Sequence, residues 1–120
     1  MTYGVVEGLA GPLPPSVGDL LRSFGLSGRG IYVVVSPDLR VEGIITDGDL
    51  RRGLLDGIEL SGSPTQIVNW NPLVAEEKTG RRFRQAEMIK MGVRHIVLVD
   101  ENGHFLATEA LSGAGTETRS

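Results

Sequence analysis

The chain has 120 residues, 40% of them apolar and 22% charged, with a net charge of −3 and no cysteine. That length suits one compact domain or two half-sized units sharing a core. The lack of cysteine excludes disulfides, thiolate nucleophiles and sulfur-ligated zinc, and the acidic balance speaks against a nucleic-acid binder.

No apolar run reaches roughly 18 residues, and no charged N-terminal segment leads into an apolar one. Neither a membrane span nor a secretory signal is therefore expected, and the cytoplasm is the default location. The charge is uneven. Residues 78–94 hold Lys78, Arg81, Arg82, Arg84, Lys90 and Arg94 against Glu87 alone, which puts +5 there and −8 on the remainder. A basic face on an acidic body suits a small phosphate-bearing ligand better than a polymer; it is equally the composition of a solvated helix face.

Residues 1–15 are rich in Gly and Pro around a short apolar run, Val5-Val6. Gly11-Pro12-Leu13-Pro14-Pro15 reads as a connector. Ser16 is a good helix N-cap, with Asp19 at the third helical position and Val17, Leu20, Leu21 and Phe24 at helical spacing. Gly25 and Gly28 end that helix. Ile31 to Val35 is a β-branched run that fits a strand buried on both faces. Ser36-Pro37-Asp38 is turn chemistry, and Val41 to Thr46 returns as a second strand. Thr46 or Asp47 then caps a helix through Leu50, Leu54 and Leu55, stopped by Gly57.

Residues 58–66 read as a linker, and Pro64 to Asn69 as one helical turn broken at Asn71-Pro72. Leu73-Val74-Ala75 is a short strand. Thr79 is the expected cap of the next helix, whose apolar stripe is Phe83, Ala86, Met88 and Ile89 and whose stop is Gly92. Val93 to Val99 is a strand, Asp100-Glu101-Asn102-Gly103 a turn, and Phe105 to Thr108 the returning strand. The end of the chain is small and polar, and residues 113–120 are expected to form a disordered tail.

Placing Val35 on Val99 gives an offset of 64 residues that also carries Asp38 onto Asn102 and Val41 onto Phe105. The chain thus reads as an α+β fold of two pseudo-symmetric repeats, residues 1–57 and 58–112, each strand–helix–strand–strand–helix. Neither half can bury its sheet alone, so the halves are expected to pack sheet against sheet.

Several chemistries lack their residues. There is no phosphate-cradling Gly-rich loop ending in Lys-Ser or Lys-Thr, no His-Glu-x-x-His, and no Ser in a Gly-x-Ser-x-Gly elbow. His95 and His104 fall in or beside different strands without a third ligand, so no metal is expected. Asp47 or Asp49 could serve as a general base, but carboxylates at a helix start are more simply capping residues.

What remains is Thr46-Asp47-Gly48-Asp49 at a strand-to-helix turn. A hydroxyl and a carboxylate three residues apart face the same way, and a carboxylate accepts from vicinal hydroxyls, the chemistry that holds a ribose. The N–H groups of the helix start can meet a phosphate. A capping box has the same spacing, so the spacing alone leaves both readings open.

Gly43-Ile44-Ile45-Thr46-Asp47-Gly48-Asp49-Leu50-Arg51-Arg52 resembles the end of a cystathionine-β-synthase-type (CBS) domain. Val68-Asn69-Trp70-Asn71-Pro72-Leu73-Val74 resembles the start of a second copy, and Gly92 to Asp100 the strand in its middle. The resemblance spans about residues 16–111 and implies a tandem CBS pair (a Bateman module): a non-catalytic regulatory unit binding AMP, ADP or ATP between its repeats, with no required cofactor. The family's Thr-x-x-Asp contacts ribose, which maps to Thr46 and Asp49. The resemblance also implies nucleotide contacts from Ile44, Ile45, Asp47, Gly48, Leu73, Val74, Ala75, Val93, His95 and Ile96, and phosphate contacts from Arg51 and Arg94.

Ala110 and Gly113 stand where the second repeat would carry its Thr and Asp, so the mirror site should lack ribose selectivity. The stretch Thr79 to Met91 is more basic and less apolar than the family helix. The form Thr-Asp-Gly-Asp-Leu-Arg-Arg followed by Asn-x-Asn-Pro looks closest to pairs attached to sugar-phosphate nucleotidyltransferases and is similar to those on sugar-phosphate isomerases. The resemblance further implies a homodimer. The alternative reading is a structural dimerisation module with no physiological ligand.

Overall fold

The β-branched run at 31–35 and its copy at 95–99 form the middle strands of two three-stranded sheets. The computed structural model describes residues 9–112. The chain divides into two compact units, residues 1–71 and 72–120.

In the first unit the order is β1 (Ala10–Gly11), α1 (Val17–Ser27), β2 (Ile31–Val35), β3 (Val41–Thr46), α2 (Asp47–Leu55) and a 3-10 turn (Pro64–Ile67). In the second it is β4 (Val74–Glu76), α3 (Arg81–Met91), β5 (His95–Val99) and β6 (Phe105–Ala110). Each middle strand has one parallel and one antiparallel neighbour. This is the α+β architecture expected from the sequence.

The repeat is exact in register. Ala10 pairs with Val33 as Val74 does with Val97, and Ile31 with Thr46 as His95 does with Ala110. Both hairpins slip at the same place, between Val34 and Val35 and between Leu98 and Val99. The helices obey the same offset, and Gly28 and Gly92 close α1 and α3 with φ of 68° and 70°. A left-handed residue there satisfies the last helical carbonyls, and glycine adopts it without Cβ strain.

The cores differ. In the first unit Val17, Leu20 and Phe24 of α1 pack with Tyr32, Val34, Ile45, Leu50 and Val68. In the second the buried cluster is Met88, Ile96 and Leu98, with Leu73, Ala75, Val93, Ala107 and Leu111 packed against it. The stretch 58–71, read from sequence as the opening of the second repeat, packs on the first unit. Val17 N–H donates to the Gly62 carbonyl at 2.8 Å, and Ile44 and Asn69 exchange backbone hydrogen bonds of 3.0 and 2.8 Å.

Several local expectations are corrected. β1 takes in Gly11, the first residue of the expected connector, because Leu9 to Gly11 supplies backbone partners along one edge of β2, and the buried Tyr32 hydroxyl donates to the Pro12 carbonyl at 2.7 Å. Leu21 stands 46% exposed rather than in the core. Gly80, not Thr79, is the N-cap of α3 and offers no side-chain bond. The expected stripe on α3 is also rotated: Met88 is fully buried, whereas Phe83 and Ile89 are 58% and 68% exposed. The inward positions beside Met88 are Arg84 and Gln85, polar residues that an apolar-periodicity argument passes over. β4 starts one residue later than expected and β6 runs on to Ala110. Among the described residues no helix follows β6. The expected tail at 113–120 and the run Val5-Val6 lie outside the described residues.

Candidate functional site

β3 delivers Thr46 directly to the first turn of α2. Thr46 has extended dihedrals (φ −104°, ψ 165°), so its side chain can turn back over the helix start. Its Oγ1 accepts from the Asp49 N–H at 3.2 Å, and Asp49 Oδ2 accepts from the Thr46 N–H at 2.9 Å. This is a complete capping box, worth about 1 kcal/mol to the helix. The capping reading of the motif is therefore present in the folded chain.

Capping does not use up the chemistry. A hydroxyl retains its own O–H and a further lone pair, and a carboxylate offers about four acceptor positions. Asp49 Oδ2 faces inward to the backbone, while Oδ1 accepts from Arg52 Nη2 at 2.5 Å. The Asp49 side chain is 21% exposed. Asp49 therefore keeps lone pairs on a fixed, partly exposed oxygen at a helix N-terminus, where the helix dipole favours negative charge or phosphate.

The neighbouring side chains define the rest of this end of the first unit. Asp47 N–H donates to the Gly30 carbonyl at 2.9 Å, and Asp47 Oδ2 pairs with Arg51 Nη2 at 3.6 Å. At Gly48 a Cβ would stand 3.5 Å from Arg52 Nη1 and 3.7 Å from Thr46 Oγ1, both ordinary contact distances. Ile45 is fully buried in the core, which leaves its backbone as its polar offering; Ile44 is also buried. Beside this turn runs a 370 Å³ groove lined by Leu21, Phe24, Gly30, Asp47, Leu50, Arg51 and Leu54.

In the second unit, Val74 is 40% exposed at the start of β4, and Ile96 is buried within β5. Leu73, Ala75, Val93 and His95 are half-buried, and Arg94 is exposed. Ala110 closes β6 at the position of Thr46, with no hydroxyl to offer. The structure thus gathers Thr46, Asp47, Gly48, Asp49 and Arg51 on one turn of the first unit. Leu73 to Ala75 and Val93 to Ile96 form their own set in the second, at the starts of the neighbouring strands β4 and β5.

Two participants stand outside the expected site residues. Arg52 sits on Asp49, an i,i+3 pairing that the spacing does offer. Gly30, with φ of 57°, carries the carbonyl that fixes Asp47 and is brought there only by the β2–β3 pairing. Among the described residues no group of His, Asp and Glu side chains could hold a metal, and no helix is long and apolar enough to cross a membrane.

No family model matches the chain. Arabinose 5-phosphate isomerase GutQ of Salmonella typhi is 29% identical over 91 residues, 76% of this chain but 28% of that protein. The same enzyme of Escherichia coli K12 is 28% identical over the same shares. The chain therefore spans little more than a quarter of these relatives. Among solved structures, a CBS domain protein of Pyrobaculum aerophilum complexed with AMP superposes with a TM-score of 0.79 at 18% identity, over 86% of this chain and 79% of that one. The CBS domain pair of protein MJ0100, in complex with 5′-methylthioadenosine and S-adenosyl-L-methionine, gives 0.77 at 16% identity over 86% and 81%. The fold is that of CBS domain pairs.

Proposed function

We propose that this chain is a non-catalytic regulatory module that binds an adenosine nucleotide, AMP, ADP or ATP, through Thr46 and Asp49. The observation that carries the reading is Asp49 Oδ1, on a side chain 21% exposed and held in place by the capping box at the start of α2. The ligands named for the similar structures are AMP, 5′-methylthioadenosine and S-adenosyl-L-methionine. All three are 5′-substituted adenosines with a free ribose diol, which is the part an Asp–Thr couple recognises. Phosphates are assigned to the Gly48 N–H and Arg51.

The regulated protein is a sugar-phosphate enzyme. The sequence form points to a nucleotidyltransferase, and the likeness to GutQ supports sugar-phosphate chemistry in general. Isothermal titration with AMP tests the reading: a saturable heat in the wild type, lost in Asp49→Ala, is expected. No heat at millimolar AMP, or equal affinity in the variant, contradicts it.

A second reading, self-association without a physiological ligand, is favoured by the leucines of α1 and α2. Leu21, Leu54 and Leu55 are 46%, 40% and 80% exposed, an apolar showing of the kind that marks interaction surfaces. A dimer by light scattering whose melting temperature ignores every nucleotide supports this reading over the first.

A further inference from the structure

Arg52 occupies the very oxygen that the proposed function needs. Asp49 Oδ2 is committed to the Thr46 N–H at 2.9 Å, so the outward Oδ1 is the oxygen open to a ligand, and Arg52 Nη2 holds it at 2.5 Å. The same guanidinium lies beside Gly48, with Nη1 3.5 Å from where a Cβ would be. Asp49 is 21% exposed and pinned, whereas Arg52 is 69% exposed at the end of a flexible stem. Of the two partners, only the arginine is able to leave.

We infer that Arg52 is an intramolecular competitor for the ribose: its guanidinium caps Asp49 Oδ1 in the empty module, and a diol competes with it for that oxygen. This rests on the Thr46–Asp49 reading above. Guanidinium N–H and ribose O–H are both donors to one carboxylate oxygen, and the arginine adds charge to its hydrogen bond. An exposed ion pair of this kind shifts an equilibrium by a factor of about two to five. Arg52 therefore tunes affinity rather than abolishing it. Ribose capture also frees a cation on the outer side of α2. Bound and empty modules then differ in the charge they present there, the kind of difference through which a ligand can shift a coupled equilibrium.

The test uses adenosine, which carries no phosphate for Arg52 to attract. Arg52→Gln is expected to bind adenosine about two- to fivefold more tightly than the wild type, with Arg52→Lys close to wild type. Raising the salt concentration screens the ion pair, so wild-type adenosine affinity should increase with salt while that of Arg52→Gln stays flat. Circular dichroism of the variants controls for folding, since the Arg52 backbone carbonyl also accepts from Asp56 N–H. Equal or weaker binding by a folded Arg52→Gln, with the wild type binding adenosine, overturns the competitor role and leaves the site intact. No adenosine binding by wild type or Arg52→Gln, with Asp49→Ala equally silent, overturns the site itself and the competitor role with it.

Discussion

Arg84 Nε and Glu109 Oε1 form a 2.5 Å ion pair between side chains only 12% and 14% exposed, on the positions that Leu20 and Ile45 fill in the first unit. The repeat offset carries each leucine-type position onto a charged one. The pair is well satisfied. Arg84 Nη1 donates to the Glu77 and Thr79 carbonyls, Gln85 Nε2 donates to Glu109 Oε2 at 2.6 Å, and Gln85 Oε1 accepts from Ser112 N–H at 2.8 Å. One repeat holds α1 to its sheet by apolar burial, and the other adds a polar clasp to the burial of Met88.

Two nearly buried charges taken from water recover little net stability, yet leaving one without its partner is costly. Glu109→Ile alone should cost roughly 2–4 kcal/mol, by stranding Arg84. Glu109→Ile combined with Arg84→Leu, which copies the first unit, should return to within about 1 kcal/mol of wild type. Urea denaturation of the two variants checks this. Additive, equally severe losses in the double variant would show that the clasp is not a coupled pair.

Gly48 separates folding from binding. An alanine methyl there meets only ordinary contacts, 3.5 Å to Arg52 Nη1 and 3.7 Å to Thr46 Oγ1. Alanine is also the better helix former, so Gly48→Ala should keep the stability or raise it by up to about 1 kcal/mol, read as an equal or higher melting temperature. The same methyl stands beside Thr46 Oγ1, next to the proposed ribose contact, and should weaken AMP binding by roughly tenfold or more, about 1.4 kcal/mol. A folded variant with wild-type AMP affinity places the ligand elsewhere.

Gly43 is a packing glycine. A Cβ there would lie 2.7 Å from Val68 Cγ1, 2.9 Å from the Asn69 carbonyl oxygen and 3.2 Å from Trp70 Cε3. Backbone cannot yield as a flexible side chain can, so Gly43→Ala should loosen the Ile44–Asn69 pairing and cost about 1–3 kcal/mol. Hydrogen exchange at the Ile44 and Asn69 amides should rise with it. Unchanged protection at those amides contradicts the account.

The hairpin of the second unit carries an acid-sensitive turn. Asp100 Oδ1 accepts from the His104 and Asn102 N–H groups at 2.9 Å each, and Oδ2 lies 3.2 Å from His104 Nδ1. The His104 backbone bond, with the Asn102 bond and the His104 ring, holds the Asp100 carboxyl below the ordinary 3.8. A depressed folded value means stability present above the unfolded value and lost as pH falls through the folded one. Asp100→Asn should therefore flatten part of the acid-side loss between about pH 5 and pH 2, read by urea denaturation across that range. An unchanged acid slope in the variant contradicts this.

Much of the architecture was legible because it rests on local chemistry. The β-branched runs at Ile31 and Ile96, the turn at Asp100 to Gly103 and the glycines closing α1 and α3 each announce an element by residue type. The 64-residue offset holds through both sheets and both long helices. Reading failed where tertiary pairing decides. Ala10 and Gly11 have little strand propensity, and they form β1 by pairing with Val33 and Val34 on the edge of β2. The inner face of α3 was misassigned because Arg84 is buried by its partner Glu109, which lies 25 residues away in sequence. At the candidate site Thr46 and Asp49 were legible from spacing, but that Arg52 takes the outward oxygen depends on side-chain geometry.

The central claim is that Asp49 and Thr46 grasp a ribose diol, and the most direct measurement is the affinity of the wild-type chain for AMP against 2′-deoxy-AMP, with Asp49→Ala alongside. The account predicts saturable AMP binding, a deoxy analogue weaker by roughly tenfold, and no such discrimination in Asp49→Ala. Equal affinity for the two nucleotides in the wild type, or no binding of either at millimolar concentration, would contradict it.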